Sequence, residues 1–170
     1  MKLEKTIRSI PDFPKKGILF KDITTLLNNP RAFRDSINQM AKLLKGKKVD
    51  VIAAAESRGF IFASALAYKL GCGLVPVRKP GKLPYKTYRA TYALEYGTDS
   101  LEIHQDAFKK TARVLVLDDL LATGGTAAAI VELVEKIGAK IVGVMFLIEL
   151  TFLKGRDKLK GLPVYSLIQY

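Results

Sequence analysis

Two adjacent carboxylates, Asp118 and Asp119, follow a run of four apolar residues and precede a turn of small residues. The apolar run 114–117 predicts a buried strand, and residues 127–137 predict a helix. A turn that opens a helix directs backbone N–H groups, and here also threonine hydroxyls, toward an anion such as a phosphate. The acids would repel a phosphate, so they suit another part of the same ligand, such as ribose hydroxyls or a hydrated cation.

An ordinary strand-to-helix connection is the alternative, in which Gly124 and Gly125 would serve only the turn. Paired acids against a threonine and glycine turn are unfavourable without a ligand, which favours a binding site. The segment has neither the G-x-x-x-x-G-K-[ST] spacing of the P-loop nor the G-x-G-x-x-G spacing of the dinucleotide fold.

Length and composition set the broad class. The chain has 170 residues, 49% of them hydrophobic, which predicts one domain over residues 1–170 with a sizeable core. It has neither a bilayer-spanning apolar run nor a signal peptide, so we expect no membrane association and a cytoplasmic location. The single cysteine, Cys72, excludes an internal disulfide and is expected to pack rather than react.

The formal net charge is +12, from 28 lysines and arginines against 16 acids. A basic chain can bind nucleic acid, an anionic membrane or anionic small molecules. Most basic residues are scattered, as is typical of a generally basic surface. One cluster lies in a turn-rich stretch, where a pyrophosphate or RNA would fit: Arg78, Lys79, Lys82, Lys86 and Arg89.

The order of elements predicts an α/β fold, namely a doubly wound, mostly parallel sheet with helices on both faces. Asn29 and Pro30 predict the start of a helix that ends near Leu44. An irregular arm, residues 1–29, precedes this helix. Strands are predicted over 49–55, 74–77, 114–117, 141–149 and 164–168, helices over 59–70 and 127–137, and a hairpin over 91–96 and 100–104 with its turn at 97–99.

Ligands bind such sheets at the carboxyl ends of the strands. After the first of these strands, the Ser57 hydroxyl and the Arg58 guanidinium can bind an anion, although a capped helix start would have the same pattern. After the second, residues 77–84 combine cations with turn-forming residues, which is also typical of a basic surface loop. The cations there are Arg78, Lys79 and Lys82.

Residues 118–126, with the sequence DDLLATGGT, resemble the phosphoribosyl-pyrophosphate motif of the type I phosphoribosyltransferases, in the form found in members that use adenine. The resemblance extends from about Ile7 to Tyr170 and includes RKPGKLP at 78–84 and LEYG at 94–97. It implies Mg²⁺-dependent purine salvage, in which adenine and 5-phosphoribosyl 1-pyrophosphate give AMP and pyrophosphate. It also implies a homodimer.

The resemblance assigns roles to individual residues. Glu95, on a mobile loop that closes over the site, would transfer a proton or orient the base. Asp118 and Asp119 would accept hydrogen bonds from the ribose hydroxyls or reach through water a Mg²⁺ held mainly by the substrate. The expected substrate contacts are Phe20, Lys21, Tyr96 and Leu120 around the base, Ser57, Arg58, Arg78, Lys79 and Lys82 at the pyrophosphate, and Ala122, Thr123, Gly124, Gly125 and Thr126 at the 5′-phosphate.

The N-terminal arm would form a hood over the base. Many relatives have arginine where this chain has Lys21. The change is harmless if only main-chain groups read the base there, and harmful if a guanidinium fork is needed. His104, the only histidine, is expected at a surface and has no nearby partner for a metal.

Two alternatives remain open at this point. A relative that uses xanthine, hypoxanthine or guanine would share the phosphate chemistry, although the ATGGT turn and the LEYG loop favour adenine. A regulator that binds nucleic acid and senses phosphoribosyl pyrophosphate would explain the positive charge. The intact hood and loop residues argue against the regulator, so we expect no nucleic-acid partner.

Overall fold

The computed structural model describes residues 2–93 and 97–170. Its N-terminal part contains a 3₁₀ helix (Leu3–Thr6), strands β1 (Arg8–Pro11) and β2 (Leu19–Asp22), and the short helix α1 (Thr24–Leu27). The expectation of an irregular arm was therefore wrong, because β1 and β2 pair as an antiparallel hairpin. Each strand has only four residues, and β1 ends on a proline, so the pair is too short to show the alternating pattern that predicts a strand.

The remaining elements follow the predicted order. They are α2 (Pro30–Leu43), β3 (Val51–Ala55), α3 (Arg58–Leu70), β4 (Gly73–Val77), β5 (Thr87–Ala93), β6 (Thr98–His104), β7 (Arg113–Leu121), α4 (Gly125–Ile137), β8 (Lys140–Glu149) and β9 (Val164–Gln169). Two further 3₁₀ helices, Thr151–Leu153 and Gly155–Leu159, lie between β8 and β9.

The central sheet has five parallel strands in the order β4-β3-β7-β8-β9, which confirms the predicted fold class. From β3 the chain proceeds to β4 on one side, and from β7 it proceeds to β8 and β9 on the other. The order of the strands therefore reverses between β3 and β7. A crevice at the carboxyl ends of these two strands is the expected place for a ligand.

Helices cover both faces of the sheet. On one face, Phe62 of α3 lies in a buried cluster with Ile52 and Leu115. On the other, Ile130 of α4 lies in a second cluster with Val116, and the β5–β6 hairpin contributes to the same side. No helix in the described ranges has the length and apolar character needed to cross a membrane.

Two boundaries differ from the prediction in ways that matter for the site. The strand β7 continues to Leu121, so both aspartates lie inside it. Asp118 pairs in register with Phe146 of β8, and β8 continues to pair with β7 beyond its apolar run, whereas the pairing with β3 ends at Leu117. The hairpin strand β5 begins at Thr87 rather than at residue 91.

Candidate active site

A cavity of about 260 Å³ lies at the carboxyl ends of β3 and β7. Most of its lining was predicted from the sequence, but Glu56, Tyr92 and Leu101 were not. The predicted lining residues are Ser57, Arg58, Lys79, Asp118, Asp119, Leu120, Ala122 and Thr126. The fold thus gathers at one edge of the sheet groups that lie far apart in the sequence.

The acid pair is the electrostatic centre of this cavity. Asp119 is only 6% exposed, and its backbone N–H donates to Oδ1 of Asp118 at 2.8 Å. Nε of Arg58 lies 2.8 Å from Oδ2 of Asp119. Burial, and then the charge of Asp119, raise the pKa of Asp118 well above its ordinary value. Burial also raises the pKa of Asp119, although Arg58 opposes this. A ligand with positive charge beside the pair would therefore be favoured.

Gly59 lets the start of α3 approach the acid pair closely. A Cβ atom at this position would lie 3.0 Å from Oδ1 of Asp118 and 3.2 Å from the carbonyl oxygen of Leu117. The glycine therefore keeps the first turn of α3, which carries Arg58, beside the aspartates.

The turn before α4 and the first two residues of that helix contain every residue predicted to bind the 5′-phosphate. We call residues 122–126 the phosphate turn. Gly124 has φ +82° and is the N-cap of α4, which begins at Gly125. Residues 120–127 enclose a small cavity of about 60 Å³. A helix N-terminus supplies unpaired N–H groups and a positive dipole end, so this cavity suits an anion.

The four cations predicted to bind pyrophosphate all pair with carboxylates. In addition to the Arg58 contact, Nε of Arg78 and Nζ of Lys82 each lie 2.7 Å from a different oxygen of Glu56, and Lys79 forms an ion pair with Asp99. The Glu56 side chain is only 8% exposed. Burial would raise the pKa of Glu56, but Lys82 and Arg78 outweigh it and hold that pKa below its ordinary value.

A second buried acid holds the basic loop in place. The backbone of Arg78 exchanges two hydrogen bonds with that of Glu102, at 2.9 and 2.7 Å. The Glu102 carboxylate accepts from the N–H of Gly81 at 3.1 Å and from Arg89 at 3.0 and 2.7 Å. Arg89 therefore supports the loop through Glu102.

Phe20 of the N-terminal hairpin lies beside Arg58, which lines the cavity. The Cζ atom of Arg58 lies 5.6 Å from the centre of the Phe20 ring, and Phe13 packs edge-on against it at 5.1 Å. The side chain of Lys21 is engaged elsewhere, since its Nζ donates to Ser9 at 3.1 Å and lies 3.6 Å above the ring of Tyr170. Only main-chain groups of Lys21 therefore remain as candidates for reading a base.

Tyr92 of β5 connects the hairpin to the phosphate turn, a role that the sequence did not suggest. Its hydroxyl accepts from Oγ1 of Thr126 at 3.4 Å and donates to Asp99 at 3.3 Å. A Cβ atom on Gly125 would lie 3.1 Å from its ring. The aromatic residues of β5 were a sign of strand structure, but they did not show which of them faces the turn.

The remaining predictions concern the loop residues Glu95 and Tyr96, the single histidine and a metal site. Glu95 and Tyr96 lie outside the described residues, so their roles stay predictions. His104 accepts from the N–H of Tyr85 at 3.4 Å. Within residues 2–93 and 97–170 there is no group of three or more potential ligands arranged to hold a metal. The Glu56–Ser57 peptide bond is cis.

Comparison with known proteins places this site in a family. Residues 22–161 match the phosphoribosyl transferase domain. The adenine phosphoribosyltransferase of Brachyspira hyodysenteriae is 58% identical over 170 residues, which cover 100% of both chains.

Two solved structures are similar to this chain over nearly its whole length. That of adenine phosphoribosyltransferase from Thermoanaerobacter pseudethanolicus superposes with a TM-score of 0.96 and 58% identity, over 99% of this chain and 98% of that one. The Saccharomyces cerevisiae enzyme, solved with adenine and an imino-altritol bisphosphate, has a TM-score of 0.91 and 43% identity, over 96% of this chain and 95% of that one. The chain belongs to the phosphoribosyltransferase family.

Proposed function

We propose that this protein transfers the phosphoribosyl group of 5-phosphoribosyl 1-pyrophosphate to adenine and releases AMP and pyrophosphate. One observation carries the proposal: the guanidinium of Arg58 lies between the ring of Phe20, at 5.6 Å, and the carboxylate of Asp119, at 2.8 Å. An aromatic surface for a base is thus adjacent to acids that suit a ribose. The relatives named above, one of them solved with adenine, support this choice of base.

Three other groups of residues are expected to bind the 5′-phosphate, the ribose and the pyrophosphate of the substrate. The phosphate turn binds the 5′-phosphate through N–H and hydroxyl donors. Asp118 and Asp119 accept hydrogen bonds from the ribose hydroxyls. The loops after β3 and β4 bind the pyrophosphate through Ser57, Arg58, Arg78, Lys79 and Lys82.

The reaction needs little covalent chemistry from the protein. A nitrogen of adenine attacks the anomeric carbon while the bond from that carbon to pyrophosphate breaks, so positive charge develops on the sugar. The carboxylates of Asp118 and Asp119 stabilise this charge. Both are buried, and their raised pKa values show that nearby positive charge does not fully balance them, so they attract the charge that develops on the sugar. Holding the base and the sugar together in the reactive orientation supplies most of the remaining rate enhancement.

The leaving group is neutralised by the basic loop. Arg78 engages Glu56 through Nε, and Lys82 engages it through one of three N–H donors. The Nη groups of Arg78 have no partner among the described residues, so they are available to phosphate oxygens.

A divalent metal fits the donor set. Carboxylate oxygens are the ligands that Mg²⁺ prefers, and Asp118 and Asp119 would hold its waters while the substrate supplies most of its ligands. When bound, Mg²⁺ supplies positive charge that weakens the bond to the departing pyrophosphate. The proton lost by adenine passes to or through Glu95, which is the candidate for that step. The resemblance also supports a homodimer, which sedimentation equilibrium would test.

The direct test is product formation. The protein is incubated with adenine, phosphoribosyl pyrophosphate and Mg²⁺, and AMP and pyrophosphate are quantified separately. We expect equal amounts of the two products, and none when either substrate is omitted. Pyrophosphate release without AMP would indicate hydrolysis and contradict the proposal.

A further inference from the structure

The phosphate turn is in direct backbone contact with Gly155, in the 3₁₀ segment that follows β8. A Cβ atom on Gly155 would overlap the carbonyl oxygen of Ala122 and lie 2.8 Å from Cδ1 of Leu121. A Cβ atom on Gly124 would overlap the carbonyl oxygen of Gly155. The two backbones therefore touch with no side chain between them, so the position of Gly155 limits where the turn can lie.

The residue after Gly155 is held by a forked ion pair. Nε of Arg156 donates to Oε1 of Glu149 at 2.6 Å, and Nη2 donates to Oε2 at 2.6 Å. Nη1 donates to the carbonyl oxygen of Val164 at 3.1 Å. Such planar, two-point contacts fix orientation as well as distance. Arg156 thereby ties the 3₁₀ segment to the ends of β8 and the start of β9.

Glu149 is itself firmly placed. It is 4% exposed and also accepts from Oγ of Ser166 at 2.6 Å and from Nε2 of Gln169 at 3.2 Å. The hydrogen bonds from Arg156 outweigh burial and hold the pKa of Glu149 below its ordinary value, so the pair is charged at neutral pH. Next to it, the N–H of Leu150 donates to the carbonyl oxygen of Leu121 at 2.9 Å, just before the phosphate turn.

We infer that Glu149 and Arg156 are positioning residues for the 5′-phosphate site, acting through the backbone of Gly155. The inference rests on the proposed function, because it takes the phosphate turn as the site of the 5′-phosphate. An ion pair that only stabilised the fold would not distinguish one ligand from another. This pair acts on one subsite, because the segment that it holds contacts the phosphate turn, whereas the residues proposed to bind pyrophosphate lie on the loops after β3 and β4.

Two product-like ligands distinguish an effect on the phosphate turn from a general effect on the fold. Ribose 5-phosphate needs the turn, whereas pyrophosphate does not. Binding of each is measured by titration calorimetry with Mg²⁺ for the parent and for Arg156→Lys, which keeps the charge but loses the fork. We expect ribose 5-phosphate to bind on the order of tenfold more weakly and pyrophosphate to change less than about twofold. Gly155→Ala places a Cβ against the turn and should weaken ribose 5-phosphate binding further.

Arg113→Lys is the matched control. Arg113 also makes a forked contact, with Asp50 at 2.6 and 2.8 Å, but at the amino edge of the sheet, so we expect neither affinity to change. Parent-like binding of ribose 5-phosphate by Arg156→Lys would overturn the inference, as would an equal loss for both ligands. Should Gly155→Ala fail to fold, Arg156→Lys alone still decides. A parent that binds ribose 5-phosphate but does not convert adenine would refute the proposed function and leave the inference standing.

Discussion

Glu56 and Arg78 form an ion pair of 2.7 Å that joins the loops after two neighbouring strands, and the same carboxylate binds Lys82 at 2.7 Å. Arg78 and Lys82 are expected to bind an anionic ligand. If Glu56 occupied all the N–H donors of these two side chains, it would compete with that ligand. Glu56 engages only one donor of each cation. It therefore orders two flexible side chains before the substrate arrives, which lowers the entropic cost of binding.

Replacing Glu56 by glutamine should therefore weaken, not strengthen, the binding of phosphoribosyl pyrophosphate. We expect its KM to rise on the order of tenfold, with the KM for adenine nearly unchanged. Glu132→Gln is the control, because Glu132 pairs with Lys136 on the exposed face of α4 and such pairs contribute little. A lower KM for phosphoribosyl pyrophosphate in Glu56→Gln would show that the acid competes with the substrate.

The acid pair should serve catalysis and oppose stability. Asp118→Asn and Asp119→Asn preserve shape and remove charge, so each should lower kcat/KM by roughly tenfold to a thousandfold. A variant that keeps the parent rate but melts far below the parent would mean that the acids support the fold instead.

The pH dependence of Asp118→Asn gives a second readout. A carboxyl group whose folded pKa is raised binds its proton more tightly in the folded state, so the folded state loses stability as pH rises through and above the unfolded pKa, about 3.9. We therefore expect Asp118→Asn to melt at or above the parent temperature at pH 7. The difference between the two should close below about pH 4. Melting temperatures of both proteins measured from about pH 3 to pH 8 would test this.

Asp22 should behave in the opposite way. The backbone N–H and then the hydroxyl of Thr24, followed by Arg8, lower its pKa from 3.8 to about 2. A lowered folded pKa contributes stability above the unfolded value that is lost as pH falls through the folded one. Asp22→Asn should thus lose on the order of 1 kcal/mol of unfolding free energy at pH 6, after allowance for exposure of Arg8, and less at pH 3. Urea unfolding at both pH values measures this; equal losses would exclude a charge effect.

Each segment of the site that the sequence predicted is local in the chain. The acids, the phosphate turn and the helix after it occupy one continuous stretch, 118–137, so composition and order suffice to locate them. The role of Glu56 depends on partners 22 and 26 residues away. Its charge alone gave no indication of which cations it would meet.

Long-range contacts also explain the other differences. The hairpin of the arm depends on Arg8 and Asp22, which are 14 residues apart and joined at 2.9 Å. The extension of β7 through Asp118 depends on its neighbour β8, because the pairing with β3 ends at Leu117. The contact between Gly155 and the phosphate turn brings together two loops whose sequences share no pattern.

The net charge of +12 raises the question of whether the protein binds nucleic acid. The variant Lys82→Ala tests this. If the basic loop serves the substrate, this variant should raise the KM for phosphoribosyl pyrophosphate on the order of tenfold, through loss of one charge-assisted contact. The parent should show no RNA complex tighter than about 1 μM at physiological salt. A specific RNA complex of nanomolar affinity at that salt, weakened in the same variant, would reassign the loop.

The choice of base tests the central claim most directly. Hypoxanthine carries a carbonyl where adenine carries an amino group, so a pocket built from main-chain groups near Lys21 would leave buried groups unpaired with the wrong base. The measurement is kcat/KM for adenine, hypoxanthine, guanine and xanthine at saturating phosphoribosyl pyrophosphate and Mg²⁺. We predict that adenine exceeds each of the others by on the order of a thousandfold or more. Comparable values for adenine and hypoxanthine would contradict the proposed function.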